Sequence, residues 1–401
     1  MSVFIRVLPV LLRCVFGLCC SIAFVQAAYA DKAIDLYTAD VLVINQTSAV
    51  RNRAAVNELA SVFVRMSGSR GVLQNPVVSN AIKNASRYVD QFSYRSTNQE
   101  ITLAGTTYPA SVLLLNFAPS PLEAILREAQ LPFWPANRPE VLIWMAHSGD
   151  RQQYVEKNGF LGRALSRAAS ERGLPTVMPL LDLQDRNILP VAKIWAADER
   201  SIVNAAKRYT VDAVISGRIR KQNGGYVANF ILNHQGESHY LQTSADSQQA
   251  LADNIIDEAS RFFANIYAVT TNGSDNNNEN LQLVVNNSES FPIYAKVLQY
   301  LQSVTLIENA QLITVDDNEL IFEVSHSGSV AQLQQTLALD KKLIFVEQKT
   351  AYEKIITPLE SPSTQLQPIT EDGLDDVLDI SQPLPPVVEE RAIQQLVFTW
   401  Q

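Results

Sequence analysis

Cysteine is almost missing from this chain. Of 401 residues only Cys14, Cys19 and Cys20 are cysteine, all within the first twenty. Everything beyond residue 20 is thiol-free, which excludes disulfide stapling, Cys-ligated zinc and a cysteine nucleophile there. Histidine is scarce as well: His147, His234, His239 and His326 are the full set. Positive charge is in deficit, with 32 Lys and Arg against 41 Asp and Glu. No basic stripe of the kind that phosphate-backbone binding needs is visible, so nucleic acid is not an expected partner. Short catalytic signatures are missing too. There is no G-x-G-x-x-G or P-loop glycine pattern and no H-E-x-x-H. Neither the G-x-S-x-G elbow nor an S-x-x-K pair occurs. No catalytic, cofactor or metal residue is assigned, and the balance tips toward binding rather than catalysis.

What is present first is an address. "MSVFIRVLPVLLRCVFGLCCSIAFVQAAYADKA" has a basic start at Arg6 and Arg13, an apolar run from Cys14 to Val25, and small residues to finish. Ala28-Tyr29-Ala30 reads as an A-x-A cleavage signal before Asp31. The apolar run is short for a membrane span of about 20 residues. The expectation is a signal peptide over residues 1–30 and a periplasmic protein, with membrane contact only through an uncleaved signal segment. The residues before Cys19 and Cys20 are Leu18 and Cys19, not the small residue a lipoprotein signal requires. Cleavage would shift the formal charge from −9 to −11, because Arg6 and Arg13 leave with the signal.

The remainder has 47% hydrophobic and 18% charged residues, globular values that allow several buried cores. Periodicity divides it into a multidomain α/β and α+β chain. Residues 35–131 read as an α/β sandwich module. "IDLYTADVLVI" alternates as a strand, and Thr47 or Ser48 caps a helix to about Met66 with Val56, Leu59, Phe63 and Val64 at helical spacing. "RYVDQFSYRS", "EITLAGTT" and "ASVLLLNFA" read as three strands, and "SPLE" as a capping box opening a helix to Ala129. Residues 139–269 read as a second α/β module. "EVLIWMA" is apolar throughout, as in a strand buried on both faces. "TVMPLLDL" reads as a further strand, and a long helix from Gln249 to Ala268 closes the module. After the Asn-rich "TNGSDNNNEN", residues 281–347 follow the βαββαβ order of a ferredoxin-like module. Residues 358–401 hold six of the eighteen prolines and eight acidic residues against Arg391 alone, the composition of a disordered acidic tail. Leu396, Phe398 and Trp400 alternate at its end, so a short strand docking on a sheet edge is expected there.

Three sets of residues are candidates for function. "LLDLQDR" puts Asp182, Asp185 and Arg186 just past a predicted strand end, where open α/β sheets bind ligands. The bland alternative is that Asp182 caps the next helical turn while Asp185 pairs with Arg186 or Arg163. "LPFWPANRP" crowds three prolines, Phe133, Trp134 and Arg138 between the first two modules. Its prolines stop a helix and interrupt any ladder, so it reads as a stiff interdomain joint with an aromatic plug. His234 and His239 flank a Gln-Gly turn and read as solvated hairpin residues rather than metal ligands, since tight sites usually bring three or four ligands. "SGSRG" can cradle an anion but is explained by a helix-ending turn.

The blocks "VRMSGSRGVLQNP", "RYVDQFSYR", "LPFWPANRPEVLIWMA", "RGLPTVMPLLDLQDR" and "RYTVDAVISGRI" resemble, in order, the domain-of-unknown-function family 2066 of exported gammaproteobacterial proteins. The resemblance spans roughly Tyr37 to Val346. It implies an exported α/β architecture and carries no catalytic residues. In arrangement the chain is similar to the flagellar T-ring assembly protein and the N-terminal module of TolB. That similarity implies a scaffold for envelope proteins or cell-wall components.

Overall fold

The computed structural model describes residues 34–149, 151–269, 281–287, 291–316, 318–339, 341–357 and 387–401. The segment expected to be a signal peptide with its expected Ala30–Asp31 cleavage site, the Asn-rich linker and most of the acidic stretch lie outside them. The described chain is a mixed α/β fold with three separate sheets.

The first sheet holds β1 (Thr38–Val43), β3 (Thr106–Phe117) and β2 (Val89–Leu103) in the antiparallel order β1-β3-β2. Helix α1 (Ser48–Ser67) packs on it, with Leu59, Val62, Phe63 and Met66 fully buried against Leu113, Leu115 and Phe117. Thr47 caps α1 by accepting from the Val50 N–H, and Gly68 ends it in the left-handed conformation. Helices α2 (Pro76–Lys83) and α3 (Pro119–Glu128) complete this body. Two sequence expectations change here. The two strands expected over 87–96 and 100–107 are one long strand, Val89–Leu103, which turns into β3 at Ala104–Gly105. Ser120 lies inside α3, whose N-cap is Ala118 with no side-chain cap bond. Pro119 sits at N1, where its fixed φ starts the helix without help from a hydroxyl.

The second sheet runs β5 (Gln152–Tyr154), β4 (Val141–Ser148), β7 (Ala213–Gln222), β8 (Gly225–His234), β9 (Glu237–Ala245), with the two-residue β6 (Thr176–Val177) also on β4. The apolar run of β4 is explained by cover on both faces. Val141, Ile143 and Met145 enter the core beneath α4 (Phe160–Arg172), while Leu142, Trp144 and Ala146 enter a second core. That second core lies under three short helices: α5 (Leu183–Ile188), α6 (Val191–Trp195) and α7 (Glu199–Ala206). The strand expected across "TVMPLLDL" therefore shrinks to Thr176–Val177, and 178–206 becomes a helical cover. Helix α8 (Gln248–Tyr267) packs beside α4 on the opposite face.

The third sheet has the order β11 (Ile307–Asp316), β12 (Glu319–His326), β10 (Leu281–Asn286), β14 (Val387–Trp400), β13 (Leu343–Thr357). Helices α9 (Phe291–Ser303) and α10 (Val330–Leu339) follow β10 and β12 in the expected βαββαβ succession. Val387–Trp400 corrects the expectation of a structureless tail, because it is an interior strand. It pairs parallel with β10 (Leu283 opposite Leu396) and antiparallel with β13 (Phe345 opposite Phe398). Leu396 and Phe398 are fully buried, so the alternation seen in the sequence is that of a core strand. Six prolines and eight acids averaged over 44 residues hid fourteen residues of strand.

Candidate functional site

The strand-end residues are brought together, but on one another. Asp182 caps α5 by accepting from the Asp185 N–H (2.9 Å). Its carboxylate also receives both terminal nitrogens of Arg208 (2.7 and 2.6 Å). Those bonds, led by the one from Arg208, hold the Asp182 carboxyl well below the usual carboxylate range. Asp185 is buried at 1% exposure and accepts from Arg208 Nη1 (2.6 Å), the Tyr209 hydroxyl (2.5 Å) and the Leu181 N–H (2.8 Å). Burial, and then this bond to Asp185, push the Tyr209 hydroxyl up to about 12. Arg186 donates from Nε to the Leu181 carbonyl (2.7 Å) and leans over the Tyr154 ring. The pairing of Asp185 with Arg186 or Arg163 is thus corrected to Arg208 and Tyr209. Both carboxylates are saturated by the chain itself, a lock that fixes α5 against the segment after α7.

Arg208 and Tyr209 went unassigned in the sequence because they lie 23 or more residues from the aspartates they hold. The histidines need correction as well. His234 is buried, not solvated: its Nδ1–H donates to the Asp212 carbonyl (3.0 Å) and Nε2 accepts from the Tyr267 hydroxyl (2.8 Å). Burial lowers its pKa and raises that of Tyr267. His239 stays at the surface, against Phe262 and 3.7 Å from Glu237. In "SGSRG", Ser69 turns its hydroxyl onto the Gly71 N–H and Arg70 bonds Asp257.

The proline-tryptophan stretch is a junction of three bodies. Phe133 packs on the first core, and Trp134 is fully buried in the second. Phe133 also exchanges both backbone hydrogen bonds with Val269 (2.8 Å each), whose side chain enters the third core. Trp134 donates its backbone N–H to the Met66 carbonyl in the last turn of α1. Arg138 lies stacked 3.9 Å from the Trp134 ring centroid. Its five N–H groups meet five backbone carbonyls: Pro135 (2.9 Å), Arg172 (2.8 Å), Gly173 (3.0 Å), Arg65 (2.6 Å) and Trp134 (2.9 Å). That accounts for every donor a guanidinium has. Three of those carbonyls end helices α1 and α4, whose C-termini carry partial negative charge. Burial and the nearby Arg65 charge push the Arg138 pKa well down. Arg138 has no acidic partner here; the sequence expectation of a helix C-terminus or a carboxylate resolves to two helix C-termini. Gly68 (φ +72°) and Gly173 (φ +62°) cap these helices, and both are crowded: a Cβ on Gly68 would lie 2.3 Å from that of Ala264. Around the same seam Arg172 bonds Asp257, while Asn137 donates to the Thr336 carbonyl of the third body (3.1 Å).

One concave feature was not foreseen. A groove of about 390 Å³ lies between the end of α6 with the turn after it (Ile194, Trp195, Ala197) and the face of β7–β9 carrying Ser216, Arg218, Asn229, Ile231, Tyr240 and Gln242. None of Asp182, Asp185 and Arg186 lines it. A signal for it existed: "AVISGRI" breaks the apolar pattern of a doubly covered strand at Ser216 and Arg218, two residues apart and so on one face. Among the described residues no three His, Cys, Asp or Glu side chains cluster as metal ligands, and no helix is long and apolar enough to cross a membrane.

Comparison with known proteins places one part of the chain. A family model described as Domain of unknown function (DUF8605) matches residues 30–135, which is the first body and the start of the junction. This corrects the resemblance to family 2066. Two of the blocks that carried it, "VRMSGSRGVLQNP" and "RYVDQFSYR", fall inside the matched interval and are a capped helix end and an exposed strand, elements common to many α/β bodies. No curated protein and no solved structure matches the chain.

Proposed function

We propose that this protein is a non-catalytic adaptor or assembly factor of the bacterial cell envelope, exported to the periplasm, that binds envelope proteins or cell-wall components. The observation that carries this reading is the Arg138 junction. It ties the first two bodies together through backbone carbonyls, while Phe133 and Asn137 carry the bonds to the third. A rigid frame that presents several sheet edges suits holding partners. β2 and β9 end their sheets, and β2 is exposed along most of its fifteen residues. The charge balance of the chain and the exported, thiol-free character expected from the sequence agree with such a role, and the resemblance in arrangement to the flagellar T-ring assembly protein and the TolB N-terminal module, read from the sequence alone, points the same way. The alternative of an enzyme or ligand site at Asp182, Asp185 and Arg186 draws no support from their geometry, since each is engaged within the chain.

The test is photocrosslinking in intact cells from Phe92 on β2 and Tyr240 on β9, both exposed. Adducts with envelope proteins or cell-wall fragments are expected. Adducts confined to cytoplasmic proteins would reject both the address and the role. N-terminal sequencing of the cellular protein checks the address separately, with Asp31 the expected first residue.

A further inference from the structure

The groove on the second sheet contains an unmet electrostatic demand. Ser216 is fully buried, and its hydroxyl has no hydrogen-bond partner. The Nε–H of Arg218, two residues on and on the same face of β7, is likewise buried without a partner. Buried donors are rarely left unmatched in folded proteins, because each keeps the cost of leaving water. Here two of them occur side by side in the floor of the same groove.

The guanidinium is held in place from its other side. Arg218 Nη1 donates to the Trp195 carbonyl at 2.5 Å, so one bond fixes both the arginine plane and the turn that forms the groove wall. Among the described residues no carboxylate forms an ion pair with Arg218. Glu199 accepts from the hydroxyl of the lining Tyr240 and, on its other oxygen, from Ser238. Arg220, the next cation along the strand, donates to the Asn229 side-chain Oδ1 (3.1 Å), and Asn229 Nδ2 in turn donates to Gln242 Oε1 (2.8 Å). That chain of bonds supports the floor and leaves the Ser216 hydroxyl and the Arg218 Nε–H as its unmatched donors. Above them the walls are apolar: Ile194, Trp195, Ile231 and the ring of Tyr240.

We propose that this groove binds a free small carboxylic acid with an apolar body, one carboxylate oxygen taking the Ser216 hydroxyl and the Arg218 Nε–H while the body lies between Trp195 and Ile231. A charged donor beside a neutral one favours an ionised acceptor, because charge-assisted bonds are the stronger kind. The volume is in the range of small-molecule sites, roughly 300–1,000 Å³, and a few polar groups under apolar walls is their usual composition. The site is separate from the adaptor reading and stands or falls without it. A hydroxyl and a guanidinium Nε–H left unmatched under an apolar cover lower the stability of the fold, which points to a use other than folding.

The experiment is titration calorimetry on the full chain with 4-phenylbutyrate, with 4-phenylbutyramide as the uncharged isostere and acetyl-Ala-Phe as a peptide bearing the same group. The acid is expected to bind, and Arg218→Met, which keeps the aliphatic stem, is expected to weaken it by about tenfold or more. Ser216→Ala supplies the second readout. It is expected to weaken the acid and yet leave the melting temperature unchanged or raised, since it deletes an unmatched buried hydroxyl. Equal binding of acid and amide, no heat from the acid up to roughly 10 mM, or undiminished binding by Arg218→Met would overturn the site. Tighter binding of acetyl-Ala-Phe than of the acid would overturn the free-acid assignment. A lowered melting temperature in Ser216→Ala would show that the hydroxyl has a structural partner and remove the argument.

Discussion

Replacing Arg138 by leucine removes the one side chain that joins the ends of two helices to the stretch between them. The substitution leaves five carbonyls without their donors and takes the cation from its stacked position on Trp134. Each hydrogen bond to a charged group contributes about 1.5–3 kcal/mol, and a desolvated cation–π contact about 2. A plain sum overshoots, because the bonds share one group and some carbonyls can recover water. Disrupting a buried charged network costs about 3–5 kcal/mol in comparable cases, so about 4 kcal/mol is expected for Arg138→Leu. Arg138→Lys keeps the charge but offers three donors and no plane, and about half of that loss is expected to remain. The assay is urea unfolding followed by tryptophan fluorescence, with amide exchange read at Trp134, whose N–H donates to Met66. Faster exchange at Trp134 is expected to accompany the loss. A cost below about 1 kcal/mol, with Trp134 exchange unchanged, would refute the reasoning and reduce Arg138 to a spectator.

Other consequences follow from the same geometry. Gly68→Ala combines a left-handed backbone with a Cβ 2.3 Å from that of Ala264, so a loss of about 2–4 kcal/mol is expected by thermal unfolding. Asp185→Ala breaks the lock with Arg208 and Tyr209; it is expected to cost about 3 kcal/mol and to shift the tyrosine absorbance titration toward lower pH. The buried His234 has a pKa depressed below the unfolded value of about 6.5. Its neutral form is therefore favoured in the native state, and stability falls as pH drops through that value toward the folded pKa. His234→Gln is expected to flatten the decline between roughly pH 7 and 5 in urea midpoints. Deleting residues 387–401 withdraws an interior strand with Leu396 and Phe398, and the third body is expected to lose its circular-dichroism signature while the first two persist.

Much of the architecture was legible because local signals agreed with the packing. Thr47 ahead of helical spacing gave α1 nearly to the residue, and the unbroken apolar run of β4 announced two covered faces. The errors have a shared cause in distance along the chain. "SPLE" looked like a capping box, but Pro119 alone suffices to start the helix. "TVMPLLDL" has strand-like residues, yet the cores over β4 needed a cover, and short helices supplied it. The terminal strand was seen, but not its insertion between β10 and β13, because a composition average does not register pairing with residues about a hundred positions away. At the strand end, Asp182 and Asp185 were visible and their partners Arg208 and Tyr209 were not. The groove was missed for a different reason: Ser216 and Arg218 are conspicuous only once both faces of β7 are known to be covered.

The claim most in need of a test is that the junction makes the first two bodies rigid with respect to each other. With Cys14, Cys19 and Cys20 replaced by serine no other thiol remains, so spin labelling is specific. With labels introduced at Ser79 and Gln242, pulsed dipolar spectroscopy is expected to give a single narrow distance distribution that broadens when Arg138→Leu and Trp134→Ala are combined. A broad distribution in the native chain, unchanged by those substitutions, would contradict the account.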